Sequence, residues 1–380
     1  MASVGFAGCI AAGRAIARRN LIRHESSGHS TDWFEHELAA LTGAGHVLTM
    51  TSDTSALVAA LAGAGIGPRD EVLVPAYTWI ATATAALLVG AVPVLVEIDE
   101  SLTMDPADMA RKITPHTRAV MPVHVDNTPA DLDAILPIAR QHGLVVKEDA
   151  CQAVGVRYKD RHCDAMGDAG AFSFYAYKNI NIGEGGALLT SDQPMFVCAR
   201  TWRDHGDPWR GHAGRMNQPQ VTGGSQRVSE VQGAMLGAQL AKLGPMLQRR
   251  QAWRAAVVRI LRRHTGLRVS QHHSEANAVE LTVIFPTAAE AAAFAQRRGV
   301  THVLDGSNHN YTNWKSILCK RVFHPRMNPW AWAHRRSDYA PDLCPRTLDI
   351  LARTCRVHLG QAYPAAVAGL LGGRLLLSPA

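Results

Sequence analysis

The stretch that decides the reading is AGAFSFYAYKNINIGEGGA, residues 169–187. Ala171-Phe172-Ser173-Phe174-Tyr175 has the apolar and aromatic content of a short buried strand. One lysine, Lys178, follows where a loop should begin. Gly183, Gly185 and Gly186 then mark tight, irregular backbone, and Leu188 and Leu189 resume the apolar pattern. The whole predicts strand, functional loop, strand. A lysine so placed can be desolvated, which lowers its pKa and frees the amine as a nucleophile that forms Schiff bases with aldehydes. Taken alone, the stretch also fits a solvated loop lysine, and that plainer reading stands until other residues are added.

Working toward the N-terminus, residues 144–149 (LVVKED), 118–125 (RAVMPVHV) and both ends of 70–99 (DEVLVPAYTWIATATAALLVGAVPVLVEID) look like strands. Helical patterns fall between them, including 130–142 and a helix with Trp79 near its start. Apolar strands alternating with helices predict an α/β fold with a mainly parallel sheet covered on both faces. Ligands sit at the C-terminal strand ends of such sheets. Trp79, Asp149, Lys178 and the hydroxyl cluster Thr51-Ser52-Asp53-Thr54-Ser55 all fall at or just beyond strand ends. That cluster follows a strand at 45–50 and opens a helix (ALVAALAGAG), where free backbone N–H groups cap or bind an anion. A plain helix cap is the favoured reading of those hydroxyls by themselves. Further out, 32–43 predicts an amphipathic helix. Residues 227–263 predict one or two long helices leading out of a large domain. Short strands at 267–270 and 279–285, an alanine-rich helix at 287–298 and a final helix near 362–372 follow. The expected division is a large domain over 1–249, with 1–30 as an N-terminal arm, and a smaller α+β domain over 250–380.

Composition narrows the class. The 380 residues are 47% hydrophobic and 19% charged, an ordinary globular balance with a net charge of +7. Arginines occur singly or as pairs such as Arg249-Arg250, so no nucleic-acid patch is expected. Neither H-E-x-x-H nor C-x-x-C occurs, and no metal site is expected. Seven cysteines without framework spacing predict a reduced, cytoplasmic protein. The N-terminus is a poor match to a secretory signal, and the apolar run at 79–98 is interrupted by Thr, Gly and Pro, so no membrane span is expected.

The segments GIGPRDEVLVPAYTWIATA (65–83), EDACQAVG (148–155), GDAGAFSFYAYKNINIGEGGALLTSD (167–192) and RVSEVQGAMLGAQL (227–240) together resemble the DegT/DnrJ/EryC1/StrS family of aminotransferases. The resemblance runs from about residue 31 to 240 and is weaker beyond. It implies the fold-type I scaffold with a seven-stranded type of sheet, and pyridoxal 5'-phosphate as cofactor. Lys178 stands at the family's Schiff-base position and Asp149 at that of the carboxylate paired with the pyridine nitrogen. Gln152 matches the group on the phenolic oxygen, and Trp79 the stacking aromatic. Thr54, Ser55 and Ser173 match phosphate-binding positions. Two departures stand out. Asp53 replaces a glycine; an acid beside a phosphate is unfavourable unless it points away, and an outward, helix-capping orientation is expected. In Gly223-Gly224-Ser225-Gln226-Arg227, Ser225 replaces the asparagine that reaches the partner subunit's phosphate, and Arg227 keeps the motif's arginine, suited to a substrate carboxylate. The implied function is transfer of an amino group from glutamate or glutamine to a keto-sugar or keto-cyclitol, in antibiotic or surface-polysaccharide pathways, by a homodimer with shared active sites. A dehydratase relative is the alternative, but such relatives carry histidine at the Lys178 position. A non-catalytic protein on the same fold is opposed by the intact Lys178, Asp149 and Gln152. A Rossmann protein is opposed by GEGG lying between two strands.

Overall fold

The structure is a computed structural model and describes residues 4–19, 21–22, 30–206, 221–264, 267–305, 308–336 and 338–358. The helix expected near 362–372 lies outside the described residues. The apolar runs become strands: β1 (His46–Met50), β2 (Glu71–Pro75), β3 (Val92–Val96), β4 (Thr117–Val120) and β5 (Val145–Asp149). A small hairpin, β6 (Arg157–Tyr158) and β7 (Arg161–His162), precedes β8 (Ala169–Ser173) and β9 (Gly186–Thr190). Seven of these form one sheet in the order β1-β9-β8-β5-β4-β2-β3. β9 is antiparallel to both its neighbours, and the remaining contacts are parallel. Nearly every residue of these strands is buried, as expected of strands covered on both faces.

Helices supply the cover: α1 (Gly5–Ala17), α2 (Ser30–Thr42), α3 (Asp53–Gly63), α4 (Ala81–Leu88), α5 (Pro106–Lys112), α6 (Leu132–Gln141), α7 (Gln193–Arg203) and α8 (Glu230–His264). Several begin where the sequence provides a cap. Ser52 accepts from the Ser55 N–H, Asp131 from Ala134 and Asp192 from Met195. One face of the sheet packs Phe34 and Leu38 of α2 against Phe172, Phe174 and Val146, with the Phe34 and Phe174 rings edge-to-face at 5.5 Å. The other face packs the small residues of α3 and α4 against Leu48, Val72 and Val74. Each fully buried Leu, Val or Phe is worth about 1.5–3 kcal/mol relative to exposure.

A second sheet follows, in the order β10-β11-β13-β12, from β10 (Arg268–Val269), β11 (Leu281–Ile284), β12 (Val300–His302) and β13 (Thr354–Val357). It is wholly antiparallel; α9 (Ala288–Ala295) packs on it and α11 (Pro345–Ala352) packs on α9, whereas α10 (Lys315–Leu318) joins the first core through Ile317. α8 serves both sheets. Leu236, Leu243 and Leu247 join the first core, whereas Trp253, Val257 and Leu261 pack on Leu281, Val283 and Cys355 of the second. The division expected at 249/250 therefore falls inside a helix rather than at a linker. No described helix is long and apolar enough to cross a membrane.

Candidate active site

Parallel strands bring their C-terminal ends to one edge. Met50, Pro75, Asp149 and Ser173 lie there, followed by α3, α4, the Cys151–Gln152 turn and the Lys178 loop. The loop is held by its backbone: Lys178 N–H donates to Tyr175 O at 2.9 Å, Phe174 N–H to Gly185 O at 2.8 Å and Ile182 N–H to Phe174 O at 3.0 Å. Gly183 has φ +89°, which suits glycine. Gly186 has a different reason: a Cβ there would lie 2.3 Å from Ser52 C and 2.4 Å from Asp53 N. The start of β9 thus runs directly against the start of α3.

A cavity of about 530 Å³ opens at this edge, bordered by Asp53, Thr54, Trp79, Ser173, Lys178 and His309. A second, of about 320 Å³, shares Lys178 and His309 and is bordered by Gln152, Asp126, Arg250 and Arg356. Lys178 is half-buried, and Trp79 is exposed at the mouth. Asp149 is 1% exposed; its Oδ2 accepts from Thr82 Oγ1 at 2.7 Å and its Oδ1 from the Cys151 N–H at 3.2 Å. Burial pushes the neighbouring Cys151 thiol well up, with Asp149 adding to the effect, so it stays protonated. Gln152 Oε1 accepts from the Asp126 N–H at 2.9 Å, leaving its amide nitrogen to donate to His309 Nε2 at 3.1 Å.

Lys178, Thr54, Trp79 and Ser173 thus share one cavity, Asp149 lies beside the Asp53 and Cys151 that border it, and Gln152 borders the adjoining space. Ser55, expected at the phosphate, is not brought to it, and Ser225 and Arg227, expected to serve the partner's site, lie outside their own chain's cavity. Ser55 turns into a hydroxyl cluster: its Oγ lies 2.9 Å from Ser52 Oγ and 3.1 Å from Thr51 Oγ, and donates to Gln226 Oε1 at 3.0 Å. Ser225 is exposed and pairs with Asp204 in an isolated bridge. Arg227 forms an ion pair with Asp204 of its own chain, and Arg203 approaches the other oxygen of that carboxylate at 3.4 Å. The structure also corrects the orientation expected of Asp53. Ser52, not Asp53, caps α3, and Asp53 borders the cavity, with its carboxylate within 4.8 Å of those of Asp149 and of the Cys151 sulfur. The reason is local. Once Ser52 takes the cap and β9 closes against the Ser52–Asp53 backbone, the first residue of α3 faces the sheet edge.

Sequence reasoning missed His309. It lies 131 positions beyond Lys178 with no motif to mark it. Residues 308–310 pair with 77–80, where Thr78 N–H donates to His309 O at 2.9 Å and Ile80 N–H to Asn308 O at 3.1 Å. The imidazole comes to lie 5.2 Å from the Trp79 ring. Burial, then the positive charge of Lys178, lowers His309 to about 4, so it is a neutral acceptor at physiological pH. The signal available in sequence was only the Trp- and His-rich character of the segment.

A second group of acids lies behind the site. Alternation along β5 sends Asp149 to the cavity side and Glu148 to the opposite face. Glu148 is fully buried and accepts from the N–H groups of Asp164 at 2.9 Å, Met166 at 2.8 Å and Gly167 at 2.5 Å. His124 completes the set: its Nδ1 accepts from Ala130 N–H at 3.0 Å, so its Nε2 carries the proton and donates to Glu148 at 2.9 Å. Burial opposes a charge on Glu148, but His124 and these amides outweigh it and hold the carboxyl low. Asp164 lies beside them with both carboxyl oxygens buried and unpartnered. Burial, with Glu148 and Asp149 adding repulsion, raises it well above the usual range.

The cavity's donor set suits a ligand with three distinct handles. The amides and hydroxyls at the start of α3 suit an anion, the Asp149 carboxylate a protonated ring nitrogen, and the Lys178 amine a carbonyl carbon. Pyridoxal phosphate has these handles, and only the Asp53 carboxyl conflicts with them.

The chain is similar to several known proteins. SpsC, a spore coat polysaccharide biosynthesis protein of Bacillus subtilis strain 168, is 40% identical over 233 residues, 60% of each chain. The dTDP-3-amino-3,4,6-trideoxy-alpha-D-glucose transaminase of Streptomyces venezuelae is 40% identical over 227 residues, covering 59% of this chain and 58% of that one. The matched stretches therefore span about three-fifths of these curated relatives. Among solved structures, S. venezuelae DesV in complex with a ketimine intermediate superposes with a TM-score of 0.74 at 29% identity, covering 96% of this chain and 92% of that one. A family model matches residues 11–363, nearly the whole sequence, and on that evidence the chain belongs to the DegT/DnrJ/EryC1/StrS aminotransferase family.

Proposed function

We propose that the protein is a pyridoxal-phosphate-dependent aminotransferase that moves an amino group from an amino acid, glutamate or glutamine, to a keto-sugar or keto-cyclitol. The observation that carries this is the convergence of Lys178, Asp149 and the α3 N-terminus at one sheet edge, about one cavity. Pyridoxal phosphate, when bound, supplies the electron sink that stabilises negative charge at the substrate carbon, and it carries the amino group between half-reactions. Lys178 Nζ would hold the cofactor's aldehyde carbon between turnovers and, once released, would carry the proton between the substrate carbon and the cofactor's C4′. Asp149 is oriented by Thr82 and Cys151 and keeps the ring nitrogen protonated. Trp79 would flank the ring, and Gln152, with its carbonyl fixed by Asp126, would donate to the phenolic oxygen. Thr54, Ser173 and the α3 amides take the phosphate.

The relatives' sugar-related names support a nucleotide-linked keto-sugar as acceptor and an antibiotic or surface-polysaccharide setting. Seven free cysteines support a cytoplasmic location. In this reading the protein is a homodimer. The Ser225–Arg227 segment, outside its own chain's cavity, serves the partner's site, and Arg227 exchanges Asp204 for a substrate carboxylate. The Lys178 side chain opposes the dehydratase alternative.

The test is a panel of nucleotide-linked ketosugars and ketocyclitols, offered with pyridoxal phosphate and glutamate or glutamine. Wild type should form an amino sugar from at least one acceptor, and Lys178→Ala none. Cofactor-loaded wild type that removes a hydroxyl and transfers no nitrogen would overturn the reading.

A further inference from the structure

Asp53 borders the cavity at the first position of α3. Its carboxylate lies within 4.8 Å of the Asp149 carboxylate and the Cys151 sulfur, and the Thr54 backbone N–H favours its charged form. It therefore spans the two places that a phosphorylated pyridine needs: the helix amides that suit the anion and the acid that suits the ring nitrogen. A helix N-terminus satisfied by a carboxylate of its own chain is already neutralised, and a second anion must displace or repel the first. Gly186 packs on the Ser52–Asp53 backbone with no room for a Cβ, which fixes the backbone at the start of α3.

We infer that Asp53 is a self-supplied anion in the cofactor cavity, a loading gate that weakens the apoprotein's affinity for a phosphorylated cofactor and that opens when its carboxyl takes up a proton. The inference rests on the pyridoxal-phosphate reading above. Burial and then the Asp149 carboxylate push Asp53 up to about 6, against the pull of Lys178 and the Thr54 N–H. The sign follows. Above that value Asp53 is charged and opposes the phosphate; below it the carboxyl is neutral and the opposition is relieved. The ionisable groups that share its surroundings are Asp149 from the end of β5, Cys151 from the following turn, Tyr175, Tyr177, Lys178 and Glu184 from the loop before β9, and His309 from the segment paired with residues 77–80. They titrate in any variant, as does the phosphate, so only a ratio between wild type and a neutral variant isolates Asp53.

The experiment is equilibrium dialysis of the apoprotein against pyridoxal phosphate, and separately against pyridoxal, for wild type, Asp53→Asn and Asp53→Gly. Asn keeps the shape and removes the charge, and thermal melts confirm that both variants fold. Near pH 8, Asp53→Asn should bind pyridoxal phosphate at least about tenfold more tightly than wild type, and the ratio should shrink toward one below about pH 5. Pyridoxal, which lacks the phosphate, should gain less than about threefold. Equal or weaker affinity of both variants for pyridoxal phosphate, a ratio that ignores pH, or an equal gain for pyridoxal would each overturn the inference. If no form of the protein takes up pyridoxal phosphate, the functional reading falls and the gate falls with it. If wild type takes it up and Asp53→Asn does so equally, the gate alone falls.

Discussion

Two groups of acids flank strand β5, and they are built differently. On the core side Glu148 is fully buried and saturated by three backbone amides and the His124 ring. On the cavity side Asp149 has the Thr82 hydroxyl and the Cys151 amide, and lies against Asp53 and Cys151, which border the cavity shared with Lys178. Each has a misfit neighbour pushed up by burial: Asp164 behind, Asp53 in front. A fully satisfied buried carboxylate is a structural tie, whereas one left with acceptor capacity toward a cavity is available to a ligand.

That contrast predicts separable effects. The largest belongs to the core side. Glu148→Ala strands three amides and an imidazole N–H and should lower unfolding free energy by about 3–5 kcal/mol in urea melts. A loss below about 1 kcal/mol would break the contrast.

Next comes Asp149→Asn. It should keep the cofactor and change stability little, yet lose roughly two decades in turnover, about 2.7 kcal/mol of barrier. Parental turnover would remove Asp149 from the chemistry.

The smallest effect is a gain. Asp164 holds φ +72° and two unpartnered oxygens, so Asp164→Gly should stabilise by about 1–2 kcal/mol near neutral pH while sparing turnover. Its pH dependence has a definite sign. A carboxyl raised in the folded state keeps its proton when the unfolded chain has released it, so wild type loses stability as pH rises above the ordinary carboxylate range. The advantage of the glycine variant should widen over the same interval, and a constant gap would contradict the assignment.

Much of this was legible in the sequence because it is local. Strand–loop–strand around Lys178, the strand at 144–149 and the helix-opening hydroxyls are period and punctuation signals, and the sheet edge follows from them. What escaped depends on contacts between distant segments. The inward turn of Asp53 needs β9 against α3, where Gly186 meets the Ser52–Asp53 backbone. The diversion of Ser55 needs Gln226, 171 positions away. His309 reaches Trp79 and Gln152 only through pairing of residues 308–310 with 77–80. α8 hid the seam between the two sheets because one continuous helix feeds both cores.

The account rests on Lys178 as the attachment point. Borohydride treatment of the cofactor-loaded protein, followed by proteolysis and peptide mass mapping, tests it most directly. The prediction is one reduced pyridoxyl group per chain, on the peptide containing residue 178, and none in Lys178→Ala. Labelling of another lysine, or undiminished labelling of Lys178→Ala, would contradict it.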